Sequence, residues 1–124
     1  MKSLAEGLFT GKWKSFKTFM HSGSVKLSSA SLFKEFDFSD DHILTISNRN
    51  AHRTENIVQT EAWVLEFQNK RYYLKVPSCK LMYEVVTINH TVLVLMDNTS
   101  MEKTFFAKEQ HWQNFLQSNK QAVL

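Results

Sequence analysis

Apolar and polar residues alternate along most of this chain, the pattern of strands that bury one face. Gly11 to Met20 is rich in aromatics and Thr and stops at the turn cluster His21-Ser22-Gly23-Ser24. Leu32 to Phe38 sets Leu32, Phe36 and Phe38 on one face. Ser39-Asp40-Asp41 then makes a turn, because Ser and Asp side chains satisfy turn backbone, and His42 to Ser47 returns at hairpin distance. The polar stretch 48–60 is the longest connection. Glu61 to Phe67 places Trp63, Leu65 and Phe67 together, and Asn69-Lys70 turns into Tyr72 to Val76, where Tyr72, Leu74 and Val76 share a face. Pro77 ends that strand, since it cannot donate to a ladder. Leu81 to Ile88, Thr91 to Met96 and Met101 to Ala107 bring the expected number of strands to eight.

Two segments depart from this period. Lys2 to Phe9 has room for one or two helical turns, and Glu109 to Ser118 sets Trp112, Phe115 and Leu116 at i, i+3 and i+4, a helix face. Eight strands joined mainly by tight turns imply antiparallel neighbours in chain order. Such a set solves its edges most simply by closing into an up-and-down barrel rather than stacking as a sandwich. The expectation is one all-β domain over residues 1–124, an eight-stranded antiparallel barrel with a short C-terminal helix. A barrel of that size either fills with side chains or holds one small ligand.

Gly11-Lys12-Trp13 reads G-x-W at the start of the first strand, and in this it resembles the opening motif of the lipocalins and the wider calycin group. The block from Trp63 to Lys108 is similar in layout to small bacterial lipocalin-like domains. A W-x-L strand (Trp63 to Leu65) leads to a Tyr/Leu hairpin, an Ile/Val-rich strand and an L-x-L strand (Leu93 to Leu95). The last strand ends in Phe105, Phe106 and Lys108. No T-D-Y stands mid-chain, and no Arg occupies the final strand, where lipocalins pack a cation against the motif Trp; Lys103 or Lys108 can take its place with weaker stacking. Independently of the family, Trp13 can plug the narrow end of a barrel under the N-terminal helical turn, and Gly11 lets the backbone bend close to that ring.

Composition narrows the function. With 43% hydrophobic residues in 124, the chain can build a core. A net charge of +3 is too small to indicate nucleic acid, and one Cys rules out an internal disulfide or a multi-thiolate metal site. No apolar run approaches the roughly 20 residues of a membrane span, and no apolar signal stretch opens the chain, so a cytoplasmic location is expected.

No motif for a cofactor or for catalysis emerges. None of His21, His42, His52, His90 and His111 falls at metal-ligand spacing, and Cys79 lies in a loop without an identifiable base. Asp40-Asp41 reads as a turn. Glu84 interrupts an apolar strand and is expected to face outward, leaving Tyr83 and Val85 inside. Lys12, Lys14 and Lys17, with Lys26 and Lys34, form either a basic patch for acidic ligands or membrane phosphates or a solvated strand face.

Ten Phe, three Tyr and three Trp exceed what sheet packing requires. They either fill the barrel or line a site for non-enzymatic binding of a small hydrophobic molecule, the expected function, with Phe36, Trp63, Leu65, Tyr72, Leu74, Tyr83 and Leu93 as its lining. The alternative is a pleckstrin-homology-like module that binds anionic lipid or protein, with Trp112, Phe115 and Leu116 on its capping helix.

Overall fold

The computed structural model describes residues 4–50 and 57–122. Helix α1 (Leu4–Phe9) leads into strand β1 (Gly11–Phe19), followed by β2 (Val25–Leu27), β3 (Leu32–Phe38), β4 (Ile43–Asn50) and β5 (Ile57–Ala62). Then come β6 (Val64–Gln68), β7 (Arg71–Val76), a 3-10 turn at Pro77–Cys79, β8 (Leu81–Ile88), β9 (Val92–Asp97), β10 (Lys103–Lys108) and helix α2 (Glu109–Ala122).

Every strand pairing is antiparallel, in the order β5-β4-β3-β1-β10-β9-β8-β7-β6, with β2 added to β1. The two ends of this path, β5 and β6, are consecutive in the chain and separated only by Trp63, whose N–H donates to His42 O at 3.0 Å. The sheet therefore curls until its ends meet at a corner, and the Ser78 hydroxyl donates to the Glu61 carboxylate to tie the 3-10 turn to β5. Leu44 and Ile46 of β4 share one core with Leu74 and Val76 of β7, as a nearly closed barrel requires.

Ten strands replace the expected eight. The polar stretch after Ser47 does not end the pairing: β4 continues to Asn50 against Leu32, and β5 begins at Ile57 against Asn48. Backbone pairing to an established neighbour thus overrides a polar composition. The three residues of β2, all exposed, pair with Lys17, Thr18 and Phe19.

Two bulges correct the face of the long strands. Ser15 pairs with Phe106 and Lys17 with Phe105, so Phe16 is the extra residue. Trp13 keeps to the barrel core, while Phe16 joins Ala107, Trp112 and Leu116 in a second cluster on the outer face. Helix α2 lies on that face, against β1 and β10. Trp112 Nε1 donates to Ser15 O at 2.9 Å and Asn119 Nδ2 to Phe16 O at 2.6 Å, so the helix satisfies carbonyls at the bulge. The second bulge lies between Val85 and Thr87 of β8; it keeps Val85 and Ile88 against the core and leaves Val86 exposed.

Candidate functional site

One end of the barrel is closed by α1 and the G-x-W segment. Trp13 is fully buried, and its Nε1 donates to Phe9 O of α1 at 2.8 Å. Lys108 is the cation that covers it, with Nζ 4.4 Å from the ring centroid and donating to Thr10 O. Lys103 lies at the other end of β10, opposite Phe19. Burial lowers the Lys108 pKa, against a smaller raising effect of Asp37. Gly11 has φ +119°, and a Cβ there would stand 2.7 Å from Lys108 Nζ. The positive φ calls for glycine here, and a Cβ would also push the lysine ammonium aside.

Above this plug the interior is packed. Phe36, Trp63, Leu74, Tyr83 and Leu93 are buried in the core, and Leu65 packs against it half-buried. Ring centroids stand 4.9 Å apart for Phe36 and Phe106, 5.9 Å for Phe36 and Tyr83, and 5.2 Å for Phe38 and Trp63. Tyr72 lies apart from this group, half-exposed against Phe67 at 4.9 Å. Burial, and after it the charge of Asp97, pushes the Tyr83 phenol up to about 12.

The open space lies further along β1, β3 and β4, away from α1. There β1 changes partner from β3, paired with Gly11–Lys14, to β2, paired with Lys17–Phe19. The Ser15 hydroxyl bridges this fork, accepting from Lys34 N–H at 2.8 Å and bonding the Ser28 hydroxyl at 3.1 Å. Beside it is a pocket of about 330 Å³. Its wall contains Thr18 and Thr104, hydrogen-bonded at 3.4 Å, the cross-strand pair Lys34 and Asn48, and Lys26, Arg49, Asn50 and Glu102. Met20, Leu27, Leu32 and Phe33 supply the apolar part. None of the seven aromatic and aliphatic residues expected to line a cavity lines this one.

Lys34 carries the strongest electrostatic signature of the pocket. Burial lowers its pKa; Asp97 and Glu102 act in the opposite sense, and Lys26 adds to the lowering. Among the described residues no carboxylate comes within ion-pair distance of its ammonium. Arg49, by contrast, stands 3.8 Å from the buried Glu35.

The other candidates serve the scaffold. Glu84 faces out and pairs with Arg71 at 2.6 Å, while Tyr83 and Val85 face in. His42 pairs with Glu6 at 2.9 Å, and His52 lies outside the described residues. Cys79 is a free thiol in the 3-10 turn, in contact with the core. The expected basic patch divides. Lys14 lies over Trp112 at 4.9 Å and Lys17 over Phe105 at 4.8 Å, both on the outer face, whereas Lys26 and Lys34 turn to the pocket. Among the described residues no group of three or more His, Cys, Asp and Glu is placed to hold a metal ion, and no helix is long and apolar enough to cross a membrane.

The pocket had a signal in the sequence. Lys34 has the same strand parity as Phe36 and Phe38, and Asn48 and Asn50 have that of Leu44 and Ile46. Polar residues that continue an inward-facing row mark the place where a barrel interior stops being a core. Compared with protein-family models the chain matches none, and among curated proteins it finds no relative.

Proposed function

We propose that this protein binds a small hydrophobic molecule non-covalently, without catalysing a reaction on it, in the pocket at the open end of its barrel. The observation that supports this reading is a pocket of about 330 Å³ whose wall joins Met20, Leu27, Leu32 and Phe33 to hydroxyl, amide and charged side chains. In small-molecule sites apolar surface supplies affinity and polar groups fix orientation; here the four apolar residues form one part of the wall and polar side chains the rest. Burial would supply about 25 cal/mol per Å² of apolar surface before the entropic cost of binding. Titration with anilinonaphthalene sulfonate, followed by dye fluorescence, tests it. One saturable site per chain is expected, and a signal that rises without saturation would contradict the reading.

A further inference from the structure

We infer that the pocket selects molecules that carry a carboxylate, with the Lys34 ammonium as its anchor and the apolar tail lying over Met20, Leu27, Leu32 and Phe33. This rests on the reading of the pocket as a small-molecule site and adds the chemical class of the ligand.

Lys34 stands on the wall of the pocket. It sits on β3 in line with the core residues Phe36 and Phe38, and its half-buried side chain lines the pocket. An ammonium held away from water without a paired anion is unfavourable, and removing that penalty is a source of affinity for an anionic ligand. Lys34 meets part of this condition: it is half-buried, burial lowers its pKa, and among the described residues no carboxylate reaches it at ion-pair distance.

The rest of the wall fits the same ligand. Lys26, opposite Thr18 on β2, adds a second cation, and against these two stand Glu102 on the wall and Asp97 of β9, which acts on Lys34 more strongly than Glu102 does. Arg49 is balanced by Glu35. The charged groups acting on Lys34 are therefore Asp97 of β9, Glu102 in the turn before β10, and Lys26 of β2. The Thr18 and Thr104 hydroxyls and the Asn48 amide offer donors to a carboxylate beside the ammonium. Glu102 disfavours a more highly charged anion, because a doubly charged headgroup would meet more repulsion than a carboxylate.

Isothermal titration with decanoate and with decanol, below their aggregation limits, tests the proposal on the full chain. Decanoate is expected to bind one site at least tenfold more tightly than decanol. Lys34→Met should abolish that preference with decanol affinity unchanged, Lys34→Arg should keep most of it, and Glu102→Gln should increase it. Decanoate affinity should fall as pH rises through the depressed pKa of Lys34, with decanol insensitive over the same range. Equal binding of acid and alcohol, unmoved by Lys34→Met, would overturn the carboxylate anchor and leave the hydrophobic pocket standing. If neither probe binds, both readings fail. Should Lys34→Met not fold, Lys34→Arg and Glu102→Gln give the same decision.

Discussion

At the scale of single residues, the closed end of the barrel depends on three groups that fit only together. Gly11 gives Lys108 room, Lys108 covers the Trp13 ring, and Trp13 hydrogen-bonds back to α1. Gly11→Ala forces a side chain into positive φ and against the lysine, so it should destabilise the fold by about 2 kcal/mol. Urea unfolding measures this, and an unchanged midpoint would show that the approach of Lys108 is not constraining. Tyr83 allows a second test. Its pKa near 12 in the folded chain, against an ordinary value near 10, means that the folded state keeps a proton the unfolded chain has lost. Stability should therefore fall between pH 10 and pH 12 by about 2 kcal/mol more in the natural chain than in Tyr83→Phe. The two should unfold alike at pH 7. Parallel curves up to pH 12 would place the Tyr83 hydroxyl in water.

At the scale of elements, helix α2 is a brace on the outer wall. Trp112 is buried, stacks near Phe33 at 4.5 Å and bonds the bulged backbone at Ser15. Trp112→Ala should cost about 3 kcal/mol, read from thermal or urea unfolding. A loss below about 1 kcal/mol would mean that the helix is not docked as described. The periodicity of the chain made most elements legible. Phe36 and Phe38 of β3 and Leu74 and Val76 of β7 face inward as expected, and Trp112, Phe115 and Leu116 keep their helical spacing, whereas Leu32 and Tyr72 near the ends of their strands are exposed. What period two could not show is the bulge at Phe16, because one extra residue reverses every face beyond it. Nor could composition reveal β2, whose Val-Lys-Leu is exposed on both faces and exists only because the end of β1 needs a partner.

For the molecule as a whole, the barrel divides its interior between a packed floor and an open, partly polar end. The sixteen aromatic rings are enough either to fill a barrel or to line a cavity, and Phe36 packs on Tyr83 while Trp63 packs on Phe38. The pocket lies where β1 parts from β3 and polar side chains continue the inward rows. The barrel itself could be foreseen from hairpin spacing, whereas the level at which it stays open depended on strand register that no local pattern encodes.

That division is the central claim, and blocking the pocket tests it. Thr104 lies on the wall, level with Thr18 and away from the core. Thr104→Trp should fill the space and leave the floor intact, so anilinonaphthalene sulfonate should lose its saturable site while the unfolding midpoint shifts little. If the variant, still folded, binds the dye with undiminished affinity, the ligand site is elsewhere and the account is wrong.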